Sequence, residues 1–186
     1  MKKIFILFVL FASCDLLTTR DPEKPDKPRS NFISPTTPEI VFQNLANSFG
    51  DKVSENYIAC FVDESFSDSK FHFIPSSGSV NQFPILSSWD KNNENQYFTN
   101  LVSQVNNNSK IILDFTNQEK QVFPDSILMK YNYLLTIPFN HTTNQYKGIG
   151  FFTLQLDERN FWVITKWIDI KVENFLSWSE LKGSYY

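Results

Sequence analysis

The segment ILMKYNYLLTIPF, residues 127–139, decides the fold class of this 186-residue chain. Its apolar side chains recur at every second position, which is the period of a β-strand rather than of a helix. Six of them share one face of the strand: Ile127, Met129, Tyr131, Tyr133, Leu135 and Ile137. A strand this long satisfies its backbone groups only beside other strands, so the segment predicts a sheet.

Neighbouring segments on both sides show the same two-residue period. KIILDFT (110–116) precedes the central strand, and GIGFFTLQLD (148–157) and NFWVITKWIDIKV (160–172) follow it. Residues 157–160 form a tight turn between the last two, although this turn contains no glycine. We therefore predict long antiparallel strands, with Gly148 and Gly150 marking a bulge or bend. KFHFIP (70–75) predicts one further short strand that ends at Pro75.

The part before residue 108 has helical spacing instead. Thr37-Pro38-Glu39 predicts a helix start, and Gly50 its end. Asp51 and Ser88 are predicted to cap two further helices, separated by the short strand and a polar loop at 76–88. Helices followed by long antiparallel strands predict an α+β domain. The last segment, SWSELKGSYY (177–186), is expected to cover one edge of the sheet.

The amino-terminal residues predict an export signal that ends in a lipid anchor. A cationic head at residues 2–3 precedes an apolar stretch at residues 4–11 that is too short to span a bilayer. The following Phe11-Ala12-Ser13-Cys14 resembles the lipobox of bacterial lipoproteins, although Phe11 stands where leucine is preferred. The resemblance implies cleavage before Cys14 and acylation of Cys14, which would hold the protein at the inner or outer membrane of the envelope. An ordinary signal peptide with an incidental cysteine is the alternative.

Residues 14–37 predict a flexible tether in front of a single folded domain at 38–186. Five of the nine prolines lie between Asp15 and Pro38, interleaved with charges, and such a composition favours an extended chain over a packed one. Acylation of Cys14 would leave Cys60 without a disulfide partner, so we expect Cys60 to be a buried or free thiol. The net charge of −3 and the lack of a basic cluster argue against nucleic acid as a partner.

The order of the predicted elements resembles that of the nuclear transport factor 2-like superfamily, and the chain is similar to uncharacterised bacterial lipoproteins of that superfamily. The resemblance covers about residues 37–186 and implies a strongly curved sheet wrapped around helices, with a cone-shaped pocket. It rests on the following residues: Thr37-Pro38-Glu39 with Leu45; Phe73-Ile74-Pro75; Trp89 with Phe98, Asn100 and Leu101; 162–169; and 177–183. This fold serves enzymes, binding modules and assembly subunits, so it does not by itself predict an activity.

Catalytic members of this superfamily use Asp, His or Tyr inside the cone, and four residues here are candidates: Asp114, Tyr131, Tyr133 and His72. A buried carboxylate at position 114 would have a raised pKa and could serve as a general base. The alternative is that Asp114 and His72 face solvent and that both tyrosines are core residues with satisfied hydroxyls.

Trp167 and Asp169 lie on the same side of their predicted strand. We expect Asp169 to accept hydrogen bonds from the carboxy-terminal tail, near Ser177–Trp178 or from an indole N–H, as a structural latch. The two histidines and two cysteines show no ligand spacing, and the five glycines form no phosphate loop, so neither a metal nor a cofactor is predicted.

The sequence favours a non-catalytic envelope lipoprotein that binds a small apolar ligand or another protein. A lyase, isomerase or hydrolase with an acid or tyrosine in the cone is the alternative. The two are distinguished by geometry, because an enzyme needs a deep cavity with converging polar groups, whereas a structural or binding module has a filled cone or one lined by carbon. The nineteen phenylalanines fit either a lined cavity or an aromatic core. A homodimer through the open sheet face is a further expectation.

Overall fold

The structure is a computed structural model that describes residues 31–172 and 174–186. The export signal, Cys14 and most of the predicted tether therefore lie outside the described residues. Contacts with the folded domain begin before Pro38. The Asn44 side chain accepts a hydrogen bond from the Ile33 N–H at 2.9 Å and donates one to the Ile33 carbonyl at 2.6 Å. The Pro35 carbonyl accepts a hydrogen bond from the backbone N–H of Trp162 at 2.8 Å.

The described residues form five strands and a set of mostly short helices. The helices are α1 (Pro38–Asp51), α2 (Ser54–Ile58), α3 (Ser79–Gln82), a 3₁₀ helix (Pro84–Ser88), α4 (Lys91–Ser103) and α5 (Trp178–Ser184). The strands are β1 (His72–Ile74), β2 (Ile112–Val122), β3 (Ile127–Pro138), β4 (Thr143–Leu156) and β5 (Trp162–Lys171). None of the helices in this part of the chain is long and apolar enough to cross a bilayer.

All five strands belong to one sheet, in the order β1-β5-β4-β3-β2. β1 pairs with β5 in parallel, and the other pairs are antiparallel. The predicted α+β class is confirmed. The face of β3 that the sequence assigns to the core is also confirmed, because its six alternate side chains are all buried. We call this face, which the helices cover, the inner face, and the opposite face the outer face.

Several element boundaries differ from the predictions because local hydrogen bonds intervene. The second helix is preceded by Val53 rather than capped by Asp51, because Asp51 is the last residue of α1. It ends at Ile58, since the carbonyl of Cys60 and the N–H of Val62 both bond to Ile164 of β5. The helix that follows the loop is capped by Asp90 rather than Ser88, because the Asp90 carboxylate accepts the N–H groups of the first turn. Residues 76–88 contain α3 and the 3₁₀ helix instead of plain loop.

The tight turn between β4 and β5 is stabilised by Asp157 in the absence of glycine. Its carboxylate accepts hydrogen bonds from the backbone N–H groups of Arg159 at 2.9 Å and Phe161 at 3.0 Å. The Arg159 guanidinium binds the same carboxylate. Asn160 takes the left-handed conformation, with φ of 61°, that glycine would otherwise supply. One aspartate and one asparagine thus replace the usual hairpin signal.

The predicted bulge at Gly148 and Gly150 is wrong, because both glycines pair in register with β3 and β5. The register shift lies instead between Thr153 and Leu154. At position 148 an added Cβ would lie 2.6 Å from the carbonyl oxygen of Ile170, and still closer to the Tyr133 hydroxyl. Gly148 is therefore required for the close approach of a buried tyrosine.

We expect Gly148→Ala to lower the free energy of unfolding by about 2–3 kcal/mol, because the new methyl group must displace either the β5 backbone or the buried Tyr133 hydroxyl. Urea denaturation of the purified protein measures this change. Gly50→Ala is the matched control, since its Cβ meets chiefly the flexible end of the Lys110 side chain and alanine favours the helix α1. Equal stability of the two variants would contradict the close approach.

Candidate functional site

The carboxy-terminal helix α5 fills the space between the inner face and the other helices. The side chains of Trp178, Leu181 and Lys182 are completely buried. The Trp178 ring centroid lies 4.5 Å from Trp167 of β5 and 5.1 Å from Tyr133 of β3. The prediction that this tail covers a sheet edge is wrong, because its tryptophan and leucine gain more by entering the apolar interior than by lying along a rim. The interior of the cone is thus occupied by the protein's own tail.

A buried ion pair joins α5 to α4 in this interior. Lys182 Nζ lies 2.5 Å from Glu94 Oε2, and neither side chain has any exposed surface. The Tyr57 hydroxyl donates to Glu94 Oε1 at 2.5 Å, and the Trp89 indole N–H donates to Oε2 at 2.6 Å. Three donors on one carboxylate offset the cost of removing its charge from water.

Aromatic rings surround the Lys182 ammonium group. Nζ lies 3.8 Å from the centroid of Trp167 and 3.9 Å from that of Phe73, and the rings of Trp89 and Tyr97 are within 6 Å. Ring faces attract a desolvated cation by up to about 2 kcal/mol. Burial lowers the pKa of Lys182 to about 8, while the Glu94 carboxylate acts in the opposite direction. The Glu94 carboxylate and the surrounding ring faces favour the charged form of Lys182.

A second buried polar group fixes the start of α5 to the sheet. Asp169 on β5 accepts hydrogen bonds from the Ser179 N–H at 2.8 Å, the Ser179 hydroxyl at 2.5 Å and the Tyr133 hydroxyl at 2.7 Å. The Tyr133 oxygen in turn accepts the Trp178 N–H at 2.8 Å. Burial raises the pKa of Tyr133 well above its usual value, and the adjacent Asp169 charge adds to the effect.

These contacts correspond to the latch that the sequence predicted at Trp167 and Asp169. Ser179 is the main partner of the Asp169 carboxylate. Trp167 contributes its ring rather than a hydrogen bond. Its buried indole N–H has no partner within the part of the chain that the structure describes. Ser177 and Glu180 form a capping box at the start of α5, and Lys171 of β5 pairs with Glu180. Side chains from β3, β5 and α4 thus hold a helix of seven residues.

The four catalytic candidates from the sequence do not meet in one place. Asp114 and His72 are exposed, because the residues beside them on their strands, Leu113 and Phe73 among others, are buried on the inner face. Tyr131 is buried against Phe42, with ring centroids 4.4 Å apart, and burial raises its pKa to about 12. Tyr133 alone belongs to the polar interior. An Asp114 carboxylate acting inside the cone is therefore excluded by its position.

Sequence reasoning missed the residues that form the polar interior, chiefly Glu94 and Lys182. The sequence contains a recognisable signal for each of these two residues. Glu94 lies on the apolar stripe of α4, at helical spacing from Tyr97, Phe98 and Leu101, so that it takes a core position. Lys182 follows the buried Trp178 by four residues on α5. A charge on an apolar stripe predicts a buried pair but does not identify the partner. No group of three potential metal ligands occurs among residues 31–172 and 174–186.

Solved structures with the same arrangement of elements are known. A protein assigned as a dehydratase of the nuclear transport factor 2-like family, from Streptomyces avermitilis, is similar with a TM-score of 0.52. The match covers 73% of this chain and 93% of that chain at 8% sequence identity. The chain has the nuclear transport factor 2-like fold. This agrees with the resemblance drawn from the order of the elements.

Two other solved chains of different description are similar to the same extent. The β subunit of benzoate 1,2-dioxygenase from Burkholderia mallei has a TM-score of 0.53 at 12% identity, over 71% of this chain and 86% of that chain. A chain assigned as a calcium/calmodulin-dependent protein kinase type II association domain, from Thiobacillus denitrificans, has a TM-score of 0.51 at 9% identity, over 79% and 100%. No family model and no curated protein matches the sequence. At these identities the likeness concerns the nuclear transport factor 2-like fold alone.

Proposed function

We propose that this chain is a bacterial envelope lipoprotein, anchored through Cys14, whose folded domain binds another protein and has no catalytic role. The filled cone carries the proposal. Trp178, Leu181 and Lys182 take the volume that a ligand or substrate would need, and an ion pair and several hydrogen bonds hold them there. A small apolar ligand in the cone would have to displace an entire buried helix. Binding is therefore expected at the surface.

Two of the structures with this fold support a role in assembly. One of them is assigned as an association domain, and the other is a dioxygenase β subunit. The outer face of the present sheet offers a surface of the right kind. Ile74, Ile168 and Phe151 face one another across three strands, and Ile149 and Ile170 form the adjacent row. Ile74 and Ile170 are each 42% exposed. A second copy of this chain, or another envelope protein, could cover these side chains.

Binding of benzene tests whether the cone is filled. NMR spectra of the methyl groups of Met129, Leu135 and Leu181 are recorded while benzene is added to the protein. We expect no shifts for the wild type, whereas Trp178→Ala should open a cavity that binds benzene and shifts these methyl signals. Saturable binding of benzene by the wild type at the same methyl groups would contradict the proposal.

Thiol counting tests the lipid anchor, because Cys60 is buried and burial raises the pKa of its thiol. Protein purified from a bacterial host that processes lipoproteins should show no reactive thiol when native and one after denaturation, since acylated Cys14 does not react. Mass spectrometry of the mature amino terminus should show Cys14 as the first residue, with its acyl chains. One reactive thiol in the native protein, with an unmodified Cys14, would refute the anchor.

An enzyme remains the second candidate, because Glu94, Lys182 and Tyr57 converge within the cone. A lysine with a lowered pKa can form a Schiff base with a carbonyl compound. Treatment of the native protein with glyoxylate and cyanoborohydride separates the two functions. The binding module predicts modification of exposed lysines such as Lys70 and an unmodified Lys182, whereas an accessible catalytic site predicts modification of Lys182. Peptide mass mapping after digestion identifies the modified residues.

A further inference from the structure

The sheet has an open edge beside a surface cleft. β1 pairs with β5 on one side, and no strand among residues 31–172 and 174–186 pairs with its other side. Residues 70–73 form one wall of a cleft of about 650 Å³, and residues 62–64 and 87–92 form much of the rest. We call this the edge cleft. Its volume lies within the range of ligand-binding pockets. Unpaired backbone groups on an edge strand are ready to pair with another strand.

The chemistry of the edge cleft fits a polypeptide better than an ion or a sugar. Its rim carries charges of both signs that are already paired, with Lys70 3.1 Å from Glu64 and Lys91 3.6 Å from Asp63. Both lysines of the lining are thus paired, which leaves no free cation for a phosphate, and the third carboxylate, that of Asp90, accepts two backbone N–H groups of α4. The aromatic rings that line it, those of Phe71, Phe73 and Trp89, are each less than a tenth exposed, so that no open ring face is available for a sugar to stack on.

The opposite edge of the sheet, β2, is protected against pairing. A register shift lies between Thr116 and Glu119, and Asn117 takes a positive φ of 53°. Lys120 and Glu119 form ion pairs along this strand, with Glu39 and Lys130. Bulges and charges are the usual devices that prevent pairing at an edge strand. β1 has neither, and its length of three residues limits an added strand to a short segment.

We infer that the edge cleft binds an extended segment of a partner polypeptide, which adds to the sheet as a strand beside β1. Backbone hydrogen bonds to β1 supply affinity. Every second side chain of the added strand lies on the outer face, beside Ile74. On that face Ile74, Ile168 and Phe151 already form a row across β1, β5 and β4. An apolar residue there extends this row and covers Ile74. Polar or charged residues of the segment meet the rim pairs of Lys70 and Lys91.

This inference rests on the proposed protein-binding function and names the form of the partner. The test uses the mature protein in detergent micelles, with a positional-scanning library of acetylated and amidated hexapeptides that have Val, Ile or Thr at alternate positions. The best peptide should shift the backbone amide signals of residues 70–74 in NMR spectra. Two N-methylated versions of this peptide, each modified on a different set of alternate amides, should differ in affinity. The reason is that only one edge of an added strand faces β1, so that only one set of amides bonds to it. One version should bind at least tenfold more weakly and the other nearly as well as the parent.

Matched variants locate the contact. Ile74→Thr should weaken binding about tenfold, since an apolar contact of this size accounts for about that factor. Ile112→Thr on the protected edge, where the isoleucine is 49% exposed, should leave it unchanged. Equal binding of both N-methylated peptides, amide shifts elsewhere, or no binding by any hexapeptide would overturn the inference. So would occupation of the cleft by N-acetylglucosamine oligomers or by β1 of a second copy. The benzene and thiol results do not depend on this outcome.

Discussion

Replacement of Lys182 by methionine is expected to lower the free energy of unfolding by about 3–5 kcal/mol. Methionine fits the space between Trp167 and Phe73, so that the loss comes from charge rather than from volume. The variant leaves the Glu94 carboxylate buried, with its tyrosine and indole donors but without a cation. It also removes the attraction between the ammonium and the aromatic rings. Guanidinium denaturation monitored by tryptophan fluorescence measures the difference.

Two further variants separate this explanation from a general loss of packing. Lys171→Met removes the other cation that pairs with α5, but Lys171 is partly exposed and should contribute less than about 1 kcal/mol. The double variant Glu94→Gln with Lys182→Met removes both charges of this pair, and should recover much of the stability lost by the single variant. A Lys182→Met variant as stable as Lys171→Met would show that the pair is not buried as described.

Asp169→Asn should be the next most destabilising change, by about 2–4 kcal/mol. The carboxylate accepts three hydrogen bonds, from the N–H and hydroxyl of Ser179 and from the hydroxyl of Tyr133. An amide of the same size has a single acceptor oxygen and turns its NH₂ group toward one of these donors. The attachment of α5 to β5 is therefore weakened without a change of volume.

Asp114→Asn is the matched control for Asp169→Asn, since Asp114 lies on the same sheet but on the exposed side. Asp114→Asn should change the free energy of unfolding by no more than about 0.5 kcal/mol. The two variants also compare Asp114, which the sequence predicted as a candidate base, with Asp169, which it predicted as part of a latch. If Asp169→Asn unfolded at the same denaturant concentration as Asp114→Asn, the latch would have no energetic role.

The sheet could be predicted from the sequence because its signal is local and repeated. The six alternate apolar positions of β3 all face the core, and α4 shows its stripe of Tyr97, Phe98 and Leu101. The position of α5 could not be predicted in the same way. Its seven residues have no long periodicity, and what holds them are contacts to residues distant in sequence, such as Tyr133 with Trp178 and Glu94 with Lys182.

The polar interior was missed for a related reason. Asp169 was assigned to a latch because it shares a strand face with Trp167, which is a local relation. Lys182 and Glu94 are each anomalous on an apolar stripe, but 88 residues separate them, and no local pattern joins them. The sequence therefore does not predict this pair, whereas the aromatic rings around Lys182 show why this cation can be buried.

Amide hydrogen exchange along α5 tests the central claim, that the cone is filled by a permanently bound helix. Under native conditions the Ser179 N–H, bonded to Asp169, should exchange only through global unfolding. Its opening free energy should equal that of the β3 and β4 amides in the middle of the sheet. Exchange of the Ser179 amide through an opening several kcal/mol less costly than global unfolding would contradict the account, because α5 would then leave the cone and expose an interior site.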